Sequence, residues 1–192
     1  MSLTSLEAVR VHENITSGTT HDSILQSLIV AVSSAMVSWI GQEIEETTVT
    51  TEKIDSIGQV AIFTRHRPIV SITTLKENGT TLTENTHFEC LGNDKPIGRI
   101  VRTGGGLPIA WASGSRVISV TYKYGYKSVP QDLELACIKQ VRHEFAQTKA
   151  SGANRLGVTG KALDTGGTLS YERDGFLPSV LQVMARYRVG IF

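Results

Sequence analysis

Residues Val117 to Ala136 constrain this chain most, because within that short stretch the hydrophobic period changes from two to three or four. Ile118, Val120 and Tyr122 alternate with Val117, Ser119 and Thr121, a β-branched and aromatic run that suits a pleated, half-buried strand. Beyond Gly125 and Tyr126 the alternation stops. Ser128 and Gln131 stand at capping-box spacing, and Pro130 falls in the first turn, where a helix has no amide hydrogen bond to lose. A strand must hand over to a helix here, so the fold is neither all-helical nor all-strand.

Upstream of this junction, Thr47 to Tyr124 reads as β, with candidate strands at Thr48–Ile54, Gln59–Phe63, Ile69–Lys76, Thr86–Leu91, Arg99–Thr103 and Arg116–Lys123. Asn78-Gly79 between two strand-like runs is a strong hairpin signal. Gly104 to Pro108 reads as a turn or loop. These short spacings leave no room for βαβ crossovers, which argues against a parallel nucleotide-binding sheet and for an antiparallel sheet or sandwich.

Helical patterns flank the β region. Thr4 and Glu7 form a capping-box signature for a short helix ending near His12. Asp22 reads as the N-cap of a longer helix with Leu25, Leu28, Ile29, Val32, Met36 and Trp39 at helical spacing, ended by Gly41. Ser23 to Gln42 carries no charge and approaches the length of a membrane span, but its six serine and glutamine residues before Trp39 suit a buried or subunit-facing helix better than lipid. A third helix from Val129 or Pro130 to about Thr148 aligns Leu133, Cys137, Val141 and Phe145, widened by Leu135 and Ile138. Ala150 to Phe176 is glycine-rich and aperiodic, a long loop, and Leu177 to about Arg188 closes the series with Val180, Leu181, Met184 and Tyr187 on one face. The expected class is α+β: a bundle of about four helices with an inserted antiparallel β subdomain. Its parts are 1–46, the inserted 47–126, and 127–192 with the long loop at 150–176.

Composition narrows the function classes. Nineteen Lys plus Arg against 18 Asp plus Glu give a net charge of +1, which supplies no field for nucleic acid or an anionic membrane. Cys90 and Cys137 lack zinc or redox spacing, so packed, reduced thiols are expected. No charged leader with a short apolar core opens the sequence, so no secretory signal is expected and the sequons at Asn14 and Asn78 carry no weight.

Chemical motifs are sparse. Gly157 to Ala162 resembles a phosphate-binding loop but has Arg155 at the first glycine position and Ala162 in place of the magnesium-binding hydroxyl. His12, His21, His66, His87 and His143 show no metal spacing, and no nucleophile elbow exists. No catalytic residue, metal site or cofactor is expected. Arg65, His66 and Arg67 form a basic cluster able to touch DNA or an acidic partner, although a solvated hairpin tip explains them as well. Arg142, Lys149 and Arg155 form a looser basic group that could face a neighbouring subunit. The apolar end, Val189 to Phe192, places Ile191 and Phe192 where they need a surface to dock on, in this chain or another.

The junction also carries a family likeness. Val120, Tyr122, Gly125, Tyr126, Val129, Pro130, Asp132, Leu133 and Ala136 fit a V-x-Y-x-x-G-Y-x-x-V-P-x-D-L-x-x-A pattern that resembles the phage head-tail connector, or head-completion, proteins. Leu6 to Val9 and Asp22 to Ile29 resemble that family's first two helices, Phe63 to Ile72 resembles the strand pair of members with a β insertion, and Leu177 to Val180 with Tyr187 and Arg188 resembles its closing helix. The resemblance implies a structural virion protein in the neck, forming a ring of twelve copies below the portal and joining it to a stopper or tail-completion protein. DNA would pass through its channel as cargo, with no membrane involved, after assembly in the host cytoplasm. On this reading Trp39, Arg65, Arg67, Arg142, Arg155, Tyr187, Arg188, Ile191 and Phe192 are the candidate partner or subunit contacts. The alternatives are a small nucleic-acid-binding module and, behind it, a hydrolase with a dispersed site.

Overall fold

The computed structural model describes residues 2–12, 19–148, 160–162, 168–170 and 175–189. Helices α1 (Leu6–His12), α2 (Asp22–Ile40), α3 (Gln131–Gln147) and α4 (Pro178–Tyr187) bracket strands β1 (Thr47–Ser56), β2 (Ala61–Phe63), β3 (Ile69–Glu77), β4 (Thr80–Leu82), β5 (Phe88–Glu89), β6 (Arg99–Gly104), β7 (Leu107–Pro108) and β8 (Gly114–Tyr124). Two further strands, β9 (Gly160–Ala162) and β10 (Thr168–Ser170), lie between α3 and α4. The class is α+β, as the sequence predicts. The described residues divide into two compact units, one within Met1–Ile40 and Pro130–Arg188, the other within Gly41–Val129 and Val189–Phe192.

The helical unit is built on two apolar stripes. Leu25, Ile29, Val32, Met36 and Ile40 of α2 and Leu133, Cys137, Val141 and Phe145 of α3 are all buried, as are Val180 and Met184 of α4. Fully burying such a side chain contributes about 1.5–3 kcal/mol, so these stripes, rather than helix propensity, fix the packing. Leu135 departs from the expected widening of the stripe, standing 39% exposed, whereas Ile138 is buried.

The helix starts differ from the sequence reading. Ser5, not Thr4, caps α1: its Oγ accepts the Ala8 N–H at 3.1 Å, while the Thr4 hydroxyl donates to Glu134 Oε1. Asp22 is the first residue of α2 rather than its cap, and its carboxylate pairs with Arg10 at 2.7 Å. No capping box forms at Ser128; Pro130 flanks α3 in extended conformation without any side-chain cap. The Thr4 hydroxyl and the Asp22 carboxylate thus meet tertiary partners in place of the local amides they were assigned. Gly41, in contrast, ends α2 with a left-handed φ of +83°.

The β unit consists of two antiparallel sheets. One runs in the order β1-β8-β3-β4 and the other β2-β6-β5, with β7 pairing β6. Strand β8 alternates as expected, with Ile118, Val120, Tyr122 and Tyr124 turned inward to share a core with Ile62, Leu75, Phe88, Ile100 and Trp111 from the rest of the unit. At Asn78 and Gly79 the φ values are +48° and +82°, the twin positive angles of a tight hairpin turn, which joins β3 to β4 in the register Glu77 opposite Thr80. Strands β4 and β7 lie where no candidate strand was placed, and Thr86–Leu91 shrinks to Phe88–Glu89. The interval read as one long loop, 150–176, holds the β9–β10 hairpin among its described residues. Both thiols are buried and free, as expected, and burial pushes Cys90 and Cys137 up to about 11.

Candidate partner interface

Arg65, His66 and Arg67 do not form a hairpin tip. Strands β2 and β3 belong to different sheets, and the 64–68 segment crosses between them. The crossing is braced from beneath. The Arg65 N–H donates to Glu52 Oε1 at 2.9 Å, and the His66 N–H donates to the Tyr122 hydroxyl at 3.1 Å, which itself donates to Glu52 Oε2. Gln42 holds Arg67 at both ends, accepting its N–H at 3.1 Å and donating to its carbonyl at 2.6 Å. The His66 ring stacks on Tyr124 with centroids 4.6 Å apart. This leaves the Arg65 side chain exposed on a backbone that cannot drift.

Burial sets the electrostatics of the brace. It lowers the His66 pKa more than the Glu52 carboxylate raises it, with Arg65 adding to the lowering, so the imidazole is neutral near pH 7. Burial, with the hydrogen bond to Glu52, raises the Tyr122 phenol, which stays protonated as the donor. Sequence reading missed Gln42 and Glu52 and read Tyr122 only as a strand and motif residue, since nothing local links residues so far apart.

Trp39, Tyr187 and Arg188 lie in the helical unit and meet partners of their own chain. The Tyr187 hydroxyl donates to Asp132 Oδ1, and Arg186 also approaches Asp132, at 3.5 Å. The Arg188 guanidinium sits 5.0 Å from the Trp39 ring centroid, a cation–π contact. The aspartate after Pro130 and the tyrosine of the last helix, both read as motif residues, thus fasten α4 to α3. Buried Gln140 adds a third tie: its Oε1 accepts the Leu177 N–H at 3.0 Å and its Nε2 donates to the Gly175 carbonyl at 3.0 Å. Arg142 is exposed on α3, beside Lys139 and His143 on the wall of a groove of about 330 Å³. Arg155, Ile191 and Phe192 lie outside the described residues.

Helix α2 has two unlike faces. One is the apolar stripe; the other, with Ser23, Gln26, Ser27, Val30, Ser34 and Ser38, is exposed and carries no charge over five turns. The same helix is long and apolar enough to cross a membrane by length and composition alone, a test that buried core helices also pass. Between α1 and α3 runs a groove of about 420 Å³, walled by Ala8, Val11, Leu135 and Ile138 with Glu7 and Glu134 at its rim. No cluster of three or more His, Cys, Asp or Glu side chains able to hold a metal occurs among the described residues.

Comparison with known proteins matches this architecture. No curated protein matches the chain. Among solved structures, a chain from the neck of an empty GTA particle computed with C6 symmetry superposes with a TM-score of 0.53 at 15% identity, covering 97% of this chain and 90% of its own. A chain from the virion of a native gene transfer agent particle gives a TM-score of 0.47 at 14% identity, with coverage of 97% and 90%. At 15% identity the first of these likenesses is one of fold. The sequence itself matches the profile described as head completion protein over residues 2–188, nearly its whole length, and the chain therefore belongs to the head completion protein family of structural virion proteins.

Proposed function

We propose that this protein is a ring-forming connector of the virion neck, seated below the portal and joining it to the next neck or tail component, with DNA passing through the ring. The observation that carries the ring is the uncharged, exposed face of α2. A solvent-facing helix surface ordinarily carries charge, and charged residues make up 19% of this chain. A five-turn face of serine, glutamine, alanine and valine suits close packing against another protein surface. The solved chain of like fold comes from a neck computed with C6 symmetry, which accords with a ring. A ring needs two different surfaces on each subunit, so that a head-to-tail contact closes on itself.

The partners on this reading are further copies of the chain, the portal and a stopper or tail-completion protein. Negative-stain electron microscopy and mass photometry of the purified protein, alone and with portal rings, test it. Closed rings, or capture on the portal vertex, are the expected result. A strictly monomeric protein at high concentration that ignores portal rings would refute the reading.

A further inference from the structure

We propose that the outer face of the β2–β6 sheet docks into the α1–α3 groove of a second copy, with Phe63 entering the groove and Arg65 meeting Glu7 on its rim. The inference rests on the ring reading and adds to the α2 face a pair of unlike surfaces for a head-to-tail contact.

The first surface follows from strand alternation. Ile62 is buried, so Phe63 points to the opposite side of the sheet, and Arg65, two residues beyond it, is exposed. Register places Phe63 opposite Arg99 and Ala61 opposite Val101, and directly opposed residues share a face. The outer face thus centres on Phe63, 43% exposed, with Ala61 and Val101 behind it and Arg65 and Arg99 at its margin. Arg99 is neutralised by Asp94 at 3.2 Å. The Arg65 guanidinium has no ion pair among the described residues, and its backbone is fixed by Glu52, so only its side chain must be ordered on binding. An aromatic centre with an arginine beside it is the composition of an interface anchor.

The second surface is complementary in shape and sign. Val11, 71% exposed, and Leu135, 39% exposed, line an open groove of about 420 Å³, a size that accepts a large side chain. Glu7 and Glu134 place two carboxylates on its rim, and the groove-lining residues include no Lys or Arg. Such a rim repels nucleic acid and attracts a cation. The occupant is a second copy because this one sequence presents both the apolar-basic face and the apolar-acidic groove.

Charge reversal tests the pairing on the full chain. Arg65→Glu and Glu7→Lys, each alone, should weaken assembly at least about tenfold by mass photometry or sedimentation, as for truncation of a close interfacial charge pair. The double variant should recover to within about threefold of the parent, because the attraction is restored with its sign exchanged. Thermal melts establish that each variant folds; should Glu7→Lys melt α1, Glu134→Lys replaces it. As a second measurement, separately purified Arg65→Cys and Glu7→Cys proteins, mixed and treated with a bis-maleimide long enough to span an arginine–glutamate pair, should give a cross-linked heterodimer, since the native thiols are buried. If the parent forms rings but Arg65→Glu assembles equally well, or the double variant fails to recover, or no heterodimer forms, the pairing is overturned while the ring stands. If Arg65→Glu leaves assembly intact and lowers retention of double-stranded DNA instead, the pairing is likewise overturned and Arg65 faces phosphate. If the parent never assembles, the ring reading fails, and this contact with it.

Discussion

Replacing Gly125 with alanine breaks the closest backbone approach at any described glycine. Gly125 has φ +104°, and a Cβ there would lie 2.5 Å from the Glu45 carbonyl oxygen, 2.8 Å from its carbon and 3.0 Å from the Ile44 oxygen. All three atoms are backbone, so no side-chain swing relieves the collision. Holding an alanine at that φ costs about 1–3 kcal/mol. The 44–46 segment must then retreat, which strains the Tyr126 N–H bond to the Ile44 carbonyl at 2.8 Å and the Glu46 N–H bond to the Tyr126 carbonyl at 3.1 Å. Each bond contributes about 1 kcal/mol, and the total is about 3–5 kcal/mol, a large share of a typical domain's stability of about 5–15 kcal/mol. Gly79→Ala is the control: its φ is +82°, but nothing lies within 4 Å of the added carbon, so only about 1–2 kcal/mol of conformational strain is expected. Urea unfolding read by Trp111 fluorescence in a Trp39→Phe background reports on the β unit, because Trp111 is 2% exposed within that core. If the two glycine variants differ by less than about 1 kcal/mol, the close-approach argument is wrong.

Three further outcomes follow from the braces. Tyr122→Phe removes the hydroxyl shared by Glu52 and the His66 N–H and should lower the β unit's stability by about 1–3 kcal/mol in the same urea assay; an unchanged midpoint would mean that water replaces the hydroxyl without loss. Gln140→Leu strands the Leu177 N–H at the start of α4 and should speed amide exchange at that hydrogen while destabilising the helical unit by about 1–3 kcal/mol; wild-type protection at Leu177 would refute the tie. The His66 pKa is lowered in the fold, so the unfolded chain binds the extra proton first. Its stabilising contribution is therefore present above about pH 6.5 and is lost as pH falls toward the folded value. His66→Phe keeps a ring against Tyr124 and should flatten the stability profile between about pH 7 and pH 5, where equal slopes for both proteins would exclude the effect.

The helical stripes, the β8 alternation, the Asn78-Gly79 turn and the end of α2 at Gly41 were legible because each depends on neighbours within a few residues. Period and positive φ are written locally, and tertiary packing here reinforces them. Capping was misread at Thr4, Asp22 and Ser128 because the side chains that could bond a nearby amide were instead drawn to Glu134 and Arg10, or left unused beside Pro130. The short strands β4 and β7 escaped notice, and β5 was drawn too long, because two or three residues hold too little pattern to display a period. The family likeness was visible in ordered motif residues, but their roles were not: Asp132 and Tyr187 look like surface polar residues until the fold sets them against each other.

Taken alone, the sequence determined the class, the order of the four helices, the inward faces of α2, α3, α4 and β8, and membership of a lineage, since all of these rest on composition and spacing along one chain. Only the tertiary structure decided that 64–68 crosses between sheets on a floor of Glu52, Tyr122 and Gln42, and that α4 is tied to α3 through Asp132 and Gln140. These partners are separated by tens of residues, and a hydrogen bond between distant positions leaves no periodic trace in a sequence. It exists because burial makes an unpaired polar group too costly to keep, and which groups are buried together is settled by packing.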